Sequence, residues 1–163
     1  MDKTKLALIG DLAFVGRYAC QKNTSKYFDE IKHVLKDCDF VIGNLETPFT
    51  NSKKTTVLSS IHLKTNPINA SLLSDLNISA VNLANNHIFD FGNSGLKSTI
   101  DCLDKNGVPF FGVDSQTHLI RHNSNQINLS GFCCYSSNGN NYGMGTGQRG
   151  LNPLTLSRVL SQL

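Results

Sequence analysis

Apolar residues gather along this chain in short runs that stop at glycine, asparagine or aspartate, and that rhythm predicts alternating strands and helices. Lys5 to Ile9 is such a run, ending at Gly10-Asp11, and predicts a buried strand. Between Ser25 and Lys36 the residues Phe28, Ile31, Val34 and Leu35 recur every three or four positions, which predicts a helix with one apolar face. Phe40 to Ile42 predicts a second strand closed by Gly43-Asn44. Thr47 to Lys64, rich in Thr, Ser, Asn and Lys, predicts an irregular excursion, with Ile61 to Thr65 as a short strand near its end. Asn69 to Leu76 carries a cap and the Leu72, Leu73, Leu76 spacing of a short helix. Ser79 to Ala84 predicts a third strand that runs into Asn85-Asn86-His87. Gly92 to Gly95 is expected to break the chain before a helix from Leu96 to Lys105, ended by Asn106-Gly107. Val108 to Phe111 predicts a fourth strand, and Ile127 to Leu129 and Phe132 to Tyr135 two more, joined at Ser130-Gly131. A Gly/Asn-rich loop from Ser136 to Gly150 and the opening of a helix from Pro153 to Leu163 complete the pattern. The alternation predicts an α/β fold, a mostly parallel sheet flanked by helices, in a single domain over 1–163.

Composition narrows the function classes. With 39% apolar residues, nine Phe and only four Pro, the chain has enough apolar surface to fold. Its formal charge is +3, and no acid follows Asp114 whereas Arg121, Arg149 and Arg158 do. That asymmetry suits an anionic ligand or simply a surface of dispersed arginines; the dense basic clusters of nucleic-acid binders are absent. The opening MDKTKLALIGD has an acid at position 2 and too short an apolar run for a signal peptide or a membrane span, so a cytoplasmic protein is expected. Five cysteines, Cys20, Cys38, Cys102, Cys133 and Cys134, show no Cys-x-x-Cys pair and read as reduced thiols.

The chemistry-bearing residues fall at the carboxyl ends of the predicted strands, where open α/β sheets bind ligands. Asp11 follows the first strand, Asn44 and Glu46 the second, Asn86 and His87 the third. Mixed oxygen and nitrogen donors of this kind suit Mn, Fe or Zn, or Mg where oxygen dominates. A purely local role is the competing reading, with Asn85, Asn86 and His87 capping the strand and satisfying loop backbone.

Gly10-Asp11, then Gly43-Asn44-Leu45-Glu46-Thr47-Pro48, then Ala84-Asn85-Asn86-His87-Ile88-Phe89-Asp90-Phe91-Gly92 resemble the motif set of the CapA, or poly-gamma-glutamate capsule-synthesis, family, which is itself similar to the calcineurin-like metallophosphoesterases. The likeness covers roughly residues 5 to 160, that is, the N-terminal half of such a domain. It implies part of a metallophosphoesterase sandwich, a metal-dependent hydrolase site for a phosphate ester or an anionic polymer, and a role in capsule biosynthesis. By resemblance Asp11 binds one metal and Asn86 another, while Asn44 and Glu46 stand where a bridging carboxylate is usual. The Asp-x-His pattern of the broader group is broken by Leu12-Ala13, so a ligand is missing. Two divalent ions would bring four positive charges against the two negative ones of Asp11 and Glu46. His87 is assigned as general acid, protonating the leaving oxygen, and Asp90, three residues on, as the carboxylate that sets its tautomer.

Other features carry less. His33, His62, His118 and His122 read as surface or packed histidines. Gly145 to Gly150 spells G-x-G-x-x-G, yet it lacks the preceding strand, the following helix and the later acid of a dinucleotide site. In the CapA-like frame that loop lies over the crevice with Arg149 facing an anion, and Asn85 and Arg149 are the residues assigned to substrate. The histidine motifs that complete the metal pair in the second half of the family's domain have no match here. An apolar sheet face and an unpaired edge are therefore expected, and with them self-association. Three functions stay open: a metallophosphoesterase-like hydrolase whose site is incomplete in this chain, a non-catalytic protein binding an anionic polymer for export, and an inactive truncated remnant.

Overall fold

The computed structural model describes residues 3–19, 24–55, 61–134 and 150–163. Strands β1 (Leu6–Asp11), β2 (Phe40–Asn44), β3 (Ala80–Asn82) and β4 (Phe110–Phe111) pair in parallel in that order. The crossovers contain α1 (Asp29–Lys36), α2 (Ser71–Asp75) and α3 (Gly92–Lys105), followed later by the short α4 (Leu156–Leu160). The fold is the expected α/β arrangement, a parallel sheet flanked by helices, consistent with part of a metallophosphoesterase-like sandwich.

Strand alternation sorts the core into two layers. Val41, Val81 and Leu83 face the helices, packing with Leu35 of α1, Leu72 and Leu73 of α2, and Leu96, Ile100 and Leu103 of α3. Ile42, Ala80 and Phe111 face the other way and meet Ile120. The cover on that second face is an antiparallel hairpin of β5 (His118–His122) and β6 (Asn125–Leu129), the latter containing the expected strand Ile127–Leu129. His118 and His122 are the two end residues of β5. Ile120, Ile127 and Leu129 turn inward, and Asn123, at φ 54, takes the left-handed turn that asparagine tolerates.

Other boundaries differ for local reasons. α3 begins at Gly92 and not at Leu96, because the glycines read as breakers are packing devices: a Cβ on Gly95 would lie 2.8 Å from Cβ of Phe91. The segment of the predicted Ser25–Lys36 helix opens as a 3-10 turn and becomes α-helical only at Asp29. Only part of its apolar stripe is covered, for Val34 is 65% exposed. Asn69 does not cap α2. Asn66 caps the preceding turn by accepting from Ile68 N at 3.0 Å, while the buried Asn69 carboxamide donates to the carbonyls of Tyr18 and Ala19. Thr65 bridges Phe49, the only strand-like pairing in the expected Ile61–Thr65 strand among the described residues. Cys133 likewise makes a single bridge, to Pro153, where a strand to Tyr135 was expected; Tyr135 itself, Cys20 and the Ser136–Arg149 stretch lie outside the described residues.

β1 is an edge strand, and its register shifts against β2 between Leu8 and Asp11. Such a bulge bends an edge strand and re-aims the residue that follows it, here Asp11. Leu8 is 73% exposed on the face that the hairpin covers elsewhere. No helix among the described residues is long and apolar enough to cross a membrane.

Candidate functional site

The parallel sheet brings the ends of β1, β2 and β3 side by side, with Asp11 in register with Asn44 and Asn44 with Asn82. Asn44 Nδ2 donates to Asp11 Oδ1 at 2.7 Å. Its oxygen accepts from Asn82 Nδ2 at 3.0 Å and from Asn85 Nδ2 at 3.3 Å. A carboxylate only accepts, so this is the orientation that satisfies every member of the row.

Glu46, two residues beyond β2, approaches Asp11 from the next loop. Burial first, then the neighbouring Asp11 charge, raises its pKa above the ordinary carboxylate value; the nearby His87 opposes this, and a hydrogen bond to Asp11 and the charge of Asp90 add to it. The cost of ionising Glu46 beside the Asp11 charge is of the kind a bound cation relieves.

His87 sits in the turn after β3. Asn85 builds that turn, its Oδ1 accepting from the backbone N–H groups of His87 and Ile88 at 3.1 and 3.0 Å. The local capping role read from the sequence is therefore present. The turn also sets His87 between two acids: its Nδ1 lies 2.9 Å from Asp90 Oδ2 and its Nε2 lies 3.9 Å from Glu46 Oε1. Asp90, 1% exposed, uses the same oxygen to accept from Leu63 N at 2.7 Å, which ties the 61–65 segment to the site.

Asp11, Asn44, Glu46, Asn85, His87 and Asp90 thus form one connected cluster. Asn86 is half-buried next to it, and its carboxamide makes no hydrogen bond among the described residues. Arg149 lies outside the described residues. Sequence reading missed Asn82 and the Leu63 N–H. A polar residue inside the apolar run Ser79–Ala84 was the available signal for Asn82; a backbone donor leaves none. The Oγ1 of Thr47, next to Glu46, is buried without a partner among the described residues.

Carboxylate and carboxamide oxygens are donor types that suit a divalent cation. Asp11 and Glu46 supply the charge and Asn86 a carboxamide oxygen, but no three His, Cys, Asp or Glu side chains among the described residues group tightly enough to hold a metal by themselves. An open hollow of about 450 Å³ beside β4, lined by Asp104, Val108, Phe110 and Thr117 among others, includes none of this cluster.

The raised Glu46 pKa makes folding proton-linked. Above the ordinary value of 4.5 the folded chain keeps a proton that the unfolded chain has released. The stability from this group is therefore full below that value and is lost as pH rises through the raised one. In chelator-containing buffer, the melting temperature followed by circular dichroism should fall with rising pH across that window, and Glu46→Gln should flatten the slope. An equal slope in the variant would remove Glu46 as its source.

Residues 5–150 match the family described as bacterial capsule synthesis protein PGA_cap. Over 117 residues the chain is 32% identical to the PGA biosynthesis protein CapA of Bacillus subtilis (strain 168), a match covering 69% of this chain and 30% of that protein. Over 119 residues it is 27% identical to the capsule biosynthesis protein CapA of Bacillus anthracis, covering 69% of this chain and 29% of that protein. The chain thus matches less than a third of the length of these relatives. The matched stretch contains all three strand-end motifs, and the chain belongs to the bacterial capsule synthesis protein PGA_cap family.

Proposed function

We propose that this chain carries the cation-binding edge of a metallophosphoesterase-type hydrolase that acts in capsule biosynthesis on a phosphate ester or an anionic polymer. The observation behind this reading is the meeting of Asp11 and Glu46, from two different strand ends, beside a His87–Asp90 pair. Asp11 and Glu46 would hold Mn, Fe or Zn, with the Asn86 carboxamide oxygen available to it. When bound, the cation supplies Lewis-acid polarisation of the reacting centre. Asn44 enters through its hydrogen bond, which holds the Asp11 carboxylate in place. His87 gives a proton to the leaving oxygen, and Asp90 fixes the ring from its Nδ1 side. Asn85 shapes the turn that presents His87, and Arg149 is the cation assigned to an anionic substrate group.

Calorimetric titration of Mn²⁺ into the 163-residue chain tests the reading. Binding is expected, and Asp11→Ala should weaken it by more than the roughly 10–100-fold that outer-shell changes cost. A wild-type chain that takes up no Mn²⁺ overturns the proposal.

A second reading, capture of an anionic polymer without catalysis, is favoured by the lack of a complete three-ligand group among the described residues. The two separate on His87→Ala. Under the first, aryl phosphate turnover is lost while Mn²⁺ binding persists; under the second, polyglutamate binding is present in wild type and variant alike and no turnover accompanies it.

A further inference from the structure

Asn82 lies at the carboxyl end of β3, on the sheet face opposite Val81 and Leu83. Its carboxamide has both ends committed. Nδ2 donates to Asn44 Oδ1 at 3.0 Å, and Oδ1 accepts from Ala84 N at 3.0 Å. The backbone N–H of Ala84 cannot turn around, so it fixes which end of Asn82 faces Asn44. That in turn makes Asn44 present its oxygen to Asn82 and its NH₂ to Asp11. Asn85 also reaches Asn44 Oδ1, but at 3.3 Å and with the same nitrogen that donates to Leu45 O at 2.9 Å. Asn82 is the shorter donor to Asn44, its nitrogen reaching its own second acceptor, Ala84 O, only at 3.4 Å.

Two glycines from outside the strand make room for this side chain. A Cβ added at Gly112 or at Gly131 would run into Asn82 Oδ1, and Gly112 sits at φ +94, a conformation that side chains resist. Segments after β4 and after β6 thus both omit a side chain where the Asn82 carboxamide lies. Packing of an inert strand end would not require a polar group there, since an apolar residue of similar size could fill the space without hydrogen bonds to arrange.

We propose that Asn82 is a positioning residue for the strand-end site: acting through Asn44, it fixes the direction of the Asp11 carboxylate, and Gly112 and Gly131 wall it into the one orientation that does so. The inference rests on the proposed reading only for what Asp11 holds; the hydrogen-bond relay itself is independent of any cation.

The test uses the 163-residue chain with Asn82→Ala and, as a variant that removes no hydrogen-bonding group, Gly131→Ala. The side-chain NH₂ resonances of Asn44, assigned with Asn44→Ser, are followed by ¹⁵N NMR without metal, and Mn²⁺ affinity is measured separately. The proton donated to Asp11 should resonate downfield in wild type and move to the ordinary carboxamide range in both variants. Mn²⁺ affinity should drop roughly 10–100-fold, the range seen when outer-shell partners are removed. Unchanged Asn44 resonances in a folded variant overturn the proposal. Should Asn82→Ala fail to fold, Gly131→Ala decides by the same two readings. If wild type binds no Mn²⁺ while the Asn44 resonances shift as expected, the cation reading fails and the relay stands.

Discussion

Phe49→Ala is expected to cost about 3–5 kcal/mol of folding stability, the range for truncating a buried phenylalanine, because the cavity it leaves cannot collapse. Phe49 is fully buried and stacks on Phe14 with ring centroids 6.2 Å apart, and Phe14 packs edge-on against Phe28 at 6.3 Å. Its backbone is pinned on both sides: the N–H donates to Thr99 Oγ1 at 3.0 Å, and the carbonyl accepts from Ser98 Oγ at 2.7 Å. Those bonds hold the segment after Glu46 against α3, so the backbone is not free to move in and fill the gap. Total stability for a domain of this kind is about 5–15 kcal/mol, so the loss approaches the whole at the lower end. Urea unfolding measures it, with Leu8→Ala as the contrast. Leu8 is 73% exposed, and its truncation should stay within about 0.5 kcal/mol. A Phe49→Ala loss as small as that of Leu8→Ala would mean that the ring stack does not hold this segment.

The first three strands were legible because each is an apolar run that ends abruptly in Gly or Asn, a pattern that survives without knowledge of the neighbours. The hairpin was legible only in part: Ile127 to Leu129 was read as a strand and lies within β6, whereas β5 was missed. Its inward residues, Ile120, Ile127 and Leu129, alternate with Arg121, Gln126 and Asn128, and the histidines at both ends of β5 gave no strand signal. Asn123 between the two arms was the available turn signal. The start of α3 was misread for the opposite reason, since glycine's low helix propensity is outweighed by the close approach of Gly95 to Phe91. In α1 the spacing of Ile31 and Val34 was real, yet spacing says which residues share a face and not whether anything packs on it.

For the site, sequence placed Asp11, Asn44, Glu46, His87 and Asp90 at strand ends, and a parallel sheet in order then brings them together without further instruction. The relay through Asn82 was beyond sequence reading. It depends on Gly112 and Gly131, which follow β3 by some thirty and fifty positions and are brought to Asn82 by the pairing of β4 with β3 and by the path of the chain after β6. The contact between Leu63 N and Asp90 is hidden in the same way, because every residue offers a backbone donor and only the path of the chain decides where it points.

That contact makes Asp90 the position where geometry and charge are separable. Both of its hydrogen bonds, from Leu63 N at 2.7 Å and with His87 Nδ1 at 2.9 Å, end on Oδ2. Asp90→Asn can therefore keep both with one carboxamide oxygen while losing the negative charge. Asp90→Ala keeps neither, leaving a backbone N–H without its acceptor and the His87 ring unheld. Orphaning a buried donor costs about 1–3 kcal/mol, and lost bonds to a charged acceptor are worth about 1.5–3 kcal/mol, so the alanine variant should melt well below wild type. The asparagine variant should melt close to it. Turnover should rank differently. If His87 donates its proton to a leaving oxygen, both variants should lose turnover of an aryl phosphate by roughly 10²–10⁴-fold, the usual contribution of a positioned acid, because neither supplies a carboxylate to support the charged ring. Calorimetric melts and steady-state rates measured side by side decide the matter. An Asp90→Asn chain as active as wild type would reduce Asp90 to a clamp for the 61–65 segment. An asparagine variant that is stable but inactive would assign the carboxylate charge to the chemistry of His87.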